Sequence, residues 1–172
     1  MEKYINEIIF PPAMSEKKIL YVASTYYHDS VLESMLKNEG LGVQNAMSAG
    51  EAIQRVDSET FSLILTYLFL RPGENSGHPS LEELSTKEVP DRIFESTLYL
   101  IGYTRTKSEF NRETPILVYA NDLDDLRVSE ASERIAKAGA DKLFKVMQNP
   151  SLPAESVYGE LVNAIISKKS DL

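Results

Sequence analysis

The chain has 172 residues, of which 42% are hydrophobic and 26% charged, enough apolar matter for one domain with a real core. Its formal net charge of -8 argues against a general nucleic-acid or phosphate-binding surface, because phosphates are gripped by Lys and Arg clusters; only Arg105, Lys107 and Arg112 offer a local basic patch. It contains no cysteine, which excludes disulfides, thiolate nucleophiles and zinc–thiolate sites.

No stretch approaches the roughly 18 apolar residues of a membrane span. The apolar patch Ile8-Ile9-Phe10 near the start, in a segment holding Glu2 and Glu7, is too short for a signal peptide, so a cytoplasmic location is expected. Residues 1–16 read as an appendage whose Tyr4, Ile5, Ile8, Ile9 and Phe10 need a surface to cover. Residues 17–172 read as one domain. Its first strong run, Ile19 to Ala23, is apolar throughout, as in a strand buried on both faces. Ser30-Val31-Leu32-Glu33 then has the form of a capping box, Val31, Leu32, Met35 and Leu36 recur at helical spacing, and Gly40 supplies the stop.

Leu41 to Ala46 reads as a weaker edge strand. Ser48-Ala49-Gly50-Glu51 repeats the capping box, with Ala52, Ile53 and Val56 facing inward. Phe61 to Leu70 is the most apolar run and is expected to be the central strand, ending at the turn Arg71-Pro72-Gly73. The roughly 40 residues from Pro72 to Pro115 exceed an ordinary βα loop plus one modest helix. They read as a polar insertion at about 73–92, with a helical turn near Leu81–Leu84, followed by a long helix whose inner face carries Ile93, Phe94, Thr97, Leu98 and Ile101. Pro115 to Ala120 reads as a buried strand, Ser129 to Ala138 as a helix, and Lys142 to Val146 as a short final strand. Pro153 stands near the start of the last helix, whose buried stripe is Val157, Leu161, Val162 and Ile165. Short apolar runs alternating with amphipathic stretches predict an α/β domain with a parallel sheet.

This order resembles the receiver domain of bacterial response regulators, the CheY-like form of the flavodoxin-like fold, over about Lys17 to Lys169. Three local matches carry the resemblance: Ser48-Ala49-Gly50-Glu51-Ala52-Ile53 at the second-helix start, Phe61 to Leu65 followed by Arg71-Pro72-Gly73, and Ala138-Gly139-Ala140-Asp141 before the fifth strand. The resemblance implies a doubly wound five-stranded parallel sheet in the order 2-1-3-4-5, enlarged between strands 3 and 4. It also implies a set of site residues, and here the sequence departs from the family. Acidic metal ligands are expected at the end of the first strand, where Ala23 and Ser24 stand. The nucleophilic aspartate is matched by Tyr67, with Thr66 beside it, and the hydroxyl at the end of the fourth strand by Ala120. Lys145 falls one position before the expected lysine.

A phenol near pKa 10 is a poor nucleophile at neutral pH, and without carboxylates no Mg²⁺ offsets phosphoryl charge. The expectation is therefore a degenerate receiver that is not an enzyme and uses no cofactor. Its output is expected through protein contact or self-association over the 129–169 face, because the chain leaves no room for an attached output domain. The alternative is a small-ligand- or nucleotide-binding flavodoxin-like protein or enzyme working at the carboxyl edge of the sheet, with the 73–90 segment as a lid. Asp29, Asp122 and Asp124 are its candidate ligand or ion crevice, against the plainer reading of acids at helix starts. No Gly-x-Gly-x-x-Gly or Walker-type loop supports a nucleotide. A Ser24–His28–Asp29 triad is discounted, because base and nucleophile on one short turn rarely align.

Overall fold

The computed structural model describes residues 17–25, 27–74, 76–84, 89–121, 123–147 and 151–171. In chain order the elements are β1 (Lys18–Val22), α1 (Ser30–Asn38), β2 (Gly42–Ala46), α2 (Ala49–Ser58), β3 (Leu63–Tyr67), α3 (Pro79–Leu84), α4 (Val89–Thr106), β4 (Ile116–Asn121), α5 (Asp125–Ala138), β5 (Lys142–Val146), α6 (Ala154–Val157) and α7 (Gly159–Asp171). The strands form one parallel sheet, as the alternation of runs predicts, in the order β2-β1-β3-β4-β5 that the resemblance implies. The appendage of residues 1–16 lies outside the described residues.

Side chains alternate across a pleated strand, so the sheet feeds two cores. On one face Leu20, Val22, Ile64, Ile116 and Val118 pack against Ile53 and Val56 of α2, Leu100 and Ile101 of α4, and Ile135 of α5. On the other, Ile19, Tyr21, Leu63, Leu65, Leu117 and Tyr119 pack against Leu32 and Leu36 of α1 and Leu161 and Ile165 of α7. Register places Val22 beside Thr66, Tyr67 beside Tyr119, and Ala120 beside Lys145.

Several boundaries differ from the sequence reading. The expected Phe61–Leu70 strand is confined to Leu63–Tyr67. After Tyr67 the Leu68 N–H still donates to Tyr119 O at 2.8 Å, but the Leu70 N–H donates to Ile93 O at 2.9 Å, so the backbone has turned toward α4. The Thr97 hydroxyl secures the departure by donating to Leu68 O at 2.6 Å. The cap of α1 is Asp29 rather than Ser30: its Oδ1 accepts the Val31 N–H at 2.8 Å and the Leu32 N–H at 3.4 Å. Glu33, assigned to that capping box, instead accepts from Lys37 at 2.7 Å, from Asn45 at 3.1 Å, and pairs with His28 at 2.8 Å. The last helix breaks at Tyr158 into α6 and α7. The second capping box is present as read, with the Glu51 N–H on Ser48 Oγ at 3.1 Å. Glu51 Oε2 accepts the Met47 N–H at 2.8 Å.

The described part of the long insertion is not loose. The Ala49 and Gly50 amides donate to Arg71 O and Pro72 O at 2.9 and 3.0 Å, tying the loop after β3 to the start of α2. A Cβ on Gly50 would stand 2.8 Å from Ser76 Cβ, so a glycine is what permits this approach. Leu81 and Leu84 of α3 are buried, and His78 sits edge-on to Tyr99 and Tyr103 at ring distances of 6.2 and 5.2 Å.

Candidate functional site

Strand pairing brings the ends of β1, β3 and β4 together at the carboxyl edge, where an open parallel α/β sheet places its ligands. Ala23 is fully buried and its N–H donates to Ala46 O at 3.0 Å. Ser24 is buried too; its Oγ accepts the Arg71 N–H at 3.0 Å, and its carbonyl accepts the Tyr27 and His28 amides at 2.8 and 2.9 Å. That turn carries Tyr27 back over the end of β3. There it stacks on Tyr67, with ring centroids 4.4 Å apart and planes 19° from parallel.

Tyr67 is only 3% exposed. Tyr119 meets its ring edge-on at 5.0 Å and Phe69 at 6.1 Å, geometries that suit the quadrupoles of aromatic rings. The Asn121 N–H points at its hydroxyl, 3.4 Å away. The space beside the end of β3 is therefore filled by aromatic rings.

Behind Tyr67 runs a buried chain of phenols. Register sets Tyr119 beside Tyr67, and Tyr21 lies on the same face of the sheet. The hydroxyls of Tyr21 and Tyr119 are 2.5 Å apart. Tyr21 also accepts the Asp29 N–H at 3.1 Å, and Tyr158 donates to Asp29 Oδ2 at 2.7 Å. Asp29 thus caps α1 and ties α1 to the segment between α6 and α7. Burial pushes the Tyr21 phenol up to about 12, and burial likewise holds Tyr119 and Tyr158 well above the ordinary phenol range. All three stay protonated at neutral pH, so Asp29 brings the carboxylate to an otherwise neutral network.

The remaining sequence candidates stand apart. Ala120 is fully buried in the opposite core, under α5, while Ala23 and Tyr67 belong to the α1/α7 side. Lys145 is half-buried on edge strand β5, in register with Ala120. Asp124 caps α5, its Oδ1 accepting the Arg127 N–H at 2.8 Å. Asp122 lies outside the described residues. Asp29 and Asp124 each serve a different helix start, and among the described residues no three His, Asp or Glu side chains converge to hold a metal ion. His28 pairs with Glu33, so Ser24, His28 and Asp29 form no relay.

Sequence reasoning missed Tyr21, Tyr27, Tyr119 and Tyr158. A signal was present: nine tyrosines in a chain without tryptophan, with Tyr21 two residues and Tyr119 one residue before the carboxyl end of a strand reading. Nearby, α4 and α5 flank a groove of about 490 Å³, floored by Tyr27, Phe69, Ile93, Phe94 and Leu123, with Arg127 beside it. Arg134 lines it as well, its guanidinium 4.6 Å over the Phe94 ring and 2.6 Å from Glu95.

No protein-family model and no curated protein matches this sequence. Solved structures do match. A CheY-like response regulator receiver domain protein from Methanospirillum hungatei JF-1 is 16% identical, with 92% of this chain and 100% of that chain covered at a TM-score of 0.56. This chain has the CheY-like receiver fold. The receiver domain of a sensor histidine kinase from Pseudomonas aeruginosa PAO1, solved with magnesium coordinated in its active-site cleft, is also 16% identical, covering 89% of this chain and 99% of that one at 0.55. An adenylate cyclase from Rhodopirellula baltica is 15% identical over 89% of both chains, at 0.52. Identities this low carry the receiver fold and leave activity to be argued from the site.

Proposed function

We propose that this chain is a receiver-fold interaction module of cellular signalling that acts without aspartyl phosphorylation and without enzymatic activity of its own. The reading rests on Tyr67, which the receiver resemblance matches to the nucleophile and which is packed between Tyr27 and Tyr119. Ala23 and Ser24 stand where metal ligands would be needed, both buried and with no carboxyl group to offer. Phosphoryl transfer rests on positioning and on charge neutralisation by a metal, and Ala23, Ser24 and Tyr67 supply neither.

The output is a protein contact through the 129–169 face, extended to the start of α5. Support comes from exposed apolar side chains: Leu126 is 71% exposed, Met147 58% and Leu152 51%. All three lie at or just beyond the carboxyl ends of the adjacent strands β4 and β5. Leu126→Glu and Met147→Glu are expected to abolish self-association, read by light scattering over a concentration series, or capture of a partner protein, with thermal stability kept. Beryllofluoride with Mg²⁺ is expected to leave the amide spectrum around Tyr67 unchanged. Mg²⁺-dependent shifts there would overturn phosphorylation independence, and wild-type behaviour of both glutamate variants would overturn the docking face.

A second reading is favoured by the groove between α4 and α5, whose volume falls in the range of small-molecule sites. On that reading an apolar ligand occupies the groove and touches Tyr27. A large, specific thermal stabilisation in a screen of nucleotides, flavins and aromatic acids would select it over the first.

A further inference from the structure

We propose, resting on the reading that the groove between α4 and α5 holds a small molecule, that its ligand is a planar aromatic monocarboxylate. The ligand's rings lie against Tyr27, Phe69 and Phe94, and its carboxylate meets Arg127 at the rim.

The shape of the groove selects flat, apolar matter. Leu68 and Leu123 are almost fully buried beneath it, whereas Tyr27, Phe69, Ile93 and Phe94 are only half-buried and keep surface for a ligand. Tyr27 is held by its stack on Tyr67, with ring centroids 4.4 Å apart. Phe69 meets Phe94 edge-on at 6.4 Å, with the planes 63° apart. Aromatic walls set at such angles favour another ring, which finds both face and edge partners.

These walls are in place before any ligand arrives. The Leu70 N–H donates to Ile93 O at 2.9 Å and the Thr97 hydroxyl to Leu68 O at 2.6 Å, fixing the 68–70 segment against α4. A wall already ordered takes little entropy from the binding free energy.

Charge narrows the class further. Among the described residues, Arg127, Glu130 and Arg134 are the charged side chains lining the groove, all from α5. Arg134 is already committed, its guanidinium 2.6 Å from Glu95 and 4.6 Å over the Phe94 ring. Arg127 differs: its side chain is 74% exposed, and its Nε stands 3.5 Å from Asp124 in a pair that solvent screens. A guanidinium carries five donors in a planar fork, so its terminal amino groups can take both oxygens of a carboxylate. One such arginine beside Glu130, on a chain of net charge -8, suits a single negative charge and repels the phosphates of nucleotides and flavins. A cationic ligand would find Glu130 but face two arginines on the same helix.

Amide-resolved NMR titration of the full chain with naphthoate, naphthylmethanol and naphthylmethylamine keeps the rings and varies only the charge. Naphthoate is expected to give saturable shifts at Phe69, Phe94 and Leu123 and to bind about tenfold tighter than the alcohol. Arg127→Gln, at an exposed side chain whose loss leaves the core intact, is expected to bring naphthoate to the affinity of the alcohol and leave the alcohol unchanged. An alcohol or amine that binds as tightly as the acid, or a preference that survives Arg127→Gln, would overturn the carboxylate while keeping a ligand groove. Absence of saturable shifts in the groove with all three probes would overturn the ligand reading itself.

Discussion

Replacing Tyr67 by aspartate introduces the side chain that the receiver resemblance implies at that position and asks whether this site tolerates it. The ring is 3% exposed, stacked on Tyr27 and flanked by Tyr119 and Phe69. Cutting a buried aromatic down to a small side chain costs about 3–5 kcal/mol, and aspartate keeps some of the volume, so about 3 kcal/mol is the apolar part. The carboxyl group adds an electrostatic part. An unfolded aspartate titrates near about 3.9, and burial raises a carboxyl by up to about 3–5 units. Taking about 3 units, the acid's folded pKa lies above its unfolded value. The variant is then penalised increasingly as pH rises from about 4 toward 7, and the penalty fades as pH falls.

That penalty amounts to about 4 kcal/mol at pH 7 and about 1.5 at pH 5. Urea unfolding followed by circular dichroism should show Tyr67→Asp close to unfolded at pH 7, since a domain holds only about 5–15 kcal/mol in total. About 2 kcal/mol should return, relative to the parent protein, at pH 5. Tyr67→Phe, which keeps the ring, should cost about 1 kcal/mol at both pH values. If Tyr67→Asp costs no more than Tyr67→Phe and does so independently of pH, the edge is an open, wet pocket and the reasoning fails.

Asp29→Ala removes the α1 cap and strands the Tyr158 hydroxyl, and should cost about 2 kcal/mol in denaturant unfolding; a loss under 0.5 kcal/mol would show that water replaces both contacts. Asn111→Ala leaves the Phe61 N–H and the carbonyls of Val56 and Glu59 without their amide partner, and should cost about 3 kcal/mol with faster hydrogen exchange at Phe61. Gly50→Ala should cost about 1–2 kcal/mol and raise exchange in the 71–78 loop, because its Cβ would meet Ser76 Cβ at 2.8 Å and Pro72 O at 3.2 Å. In a spectrophotometric titration Tyr21 should stay protonated past pH 11; its raised pKa contributes stability that is intact below about pH 10 and lost as pH climbs toward about 12, a loss that Tyr21→Phe should blunt.

Much of this protein was readable because the controlling interactions are local. The Lys142–Val146 strand, the Ser48–Glu51 cap and the turn of helix near Leu81–Leu84 are each fixed by spacing and by residues a few positions apart. The alternation itself predicted only a parallel sheet covered by helices; the strand order came from the receiver resemblance. Asp29 and Ser30 are both good caps, and the choice between them depended on where the chain leaves the Ser24 turn. The length of β3 depended on Thr97 and Ile93, which lie about 30 residues further along.

The candidate site lay beyond such reasoning. The sequence alone set the expectation that acids are missing, because the receiver resemblance matches Ala23, Ser24 and Tyr67 to acidic positions at the ends of their strands. Only the tertiary structure decided what occupies their place. Tyr27 reaches Tyr67 across 40 residues of chain, Tyr21 meets Tyr119 across 98, and Tyr158 reaches Asp29 across 129. Contacts that distant leave no periodic trace, since each tyrosine is equally at home in an ordinary core. Sheet register and the Ser24 turn made them neighbours, and the low polarity of their shared interior keeps them protonated and closely packed.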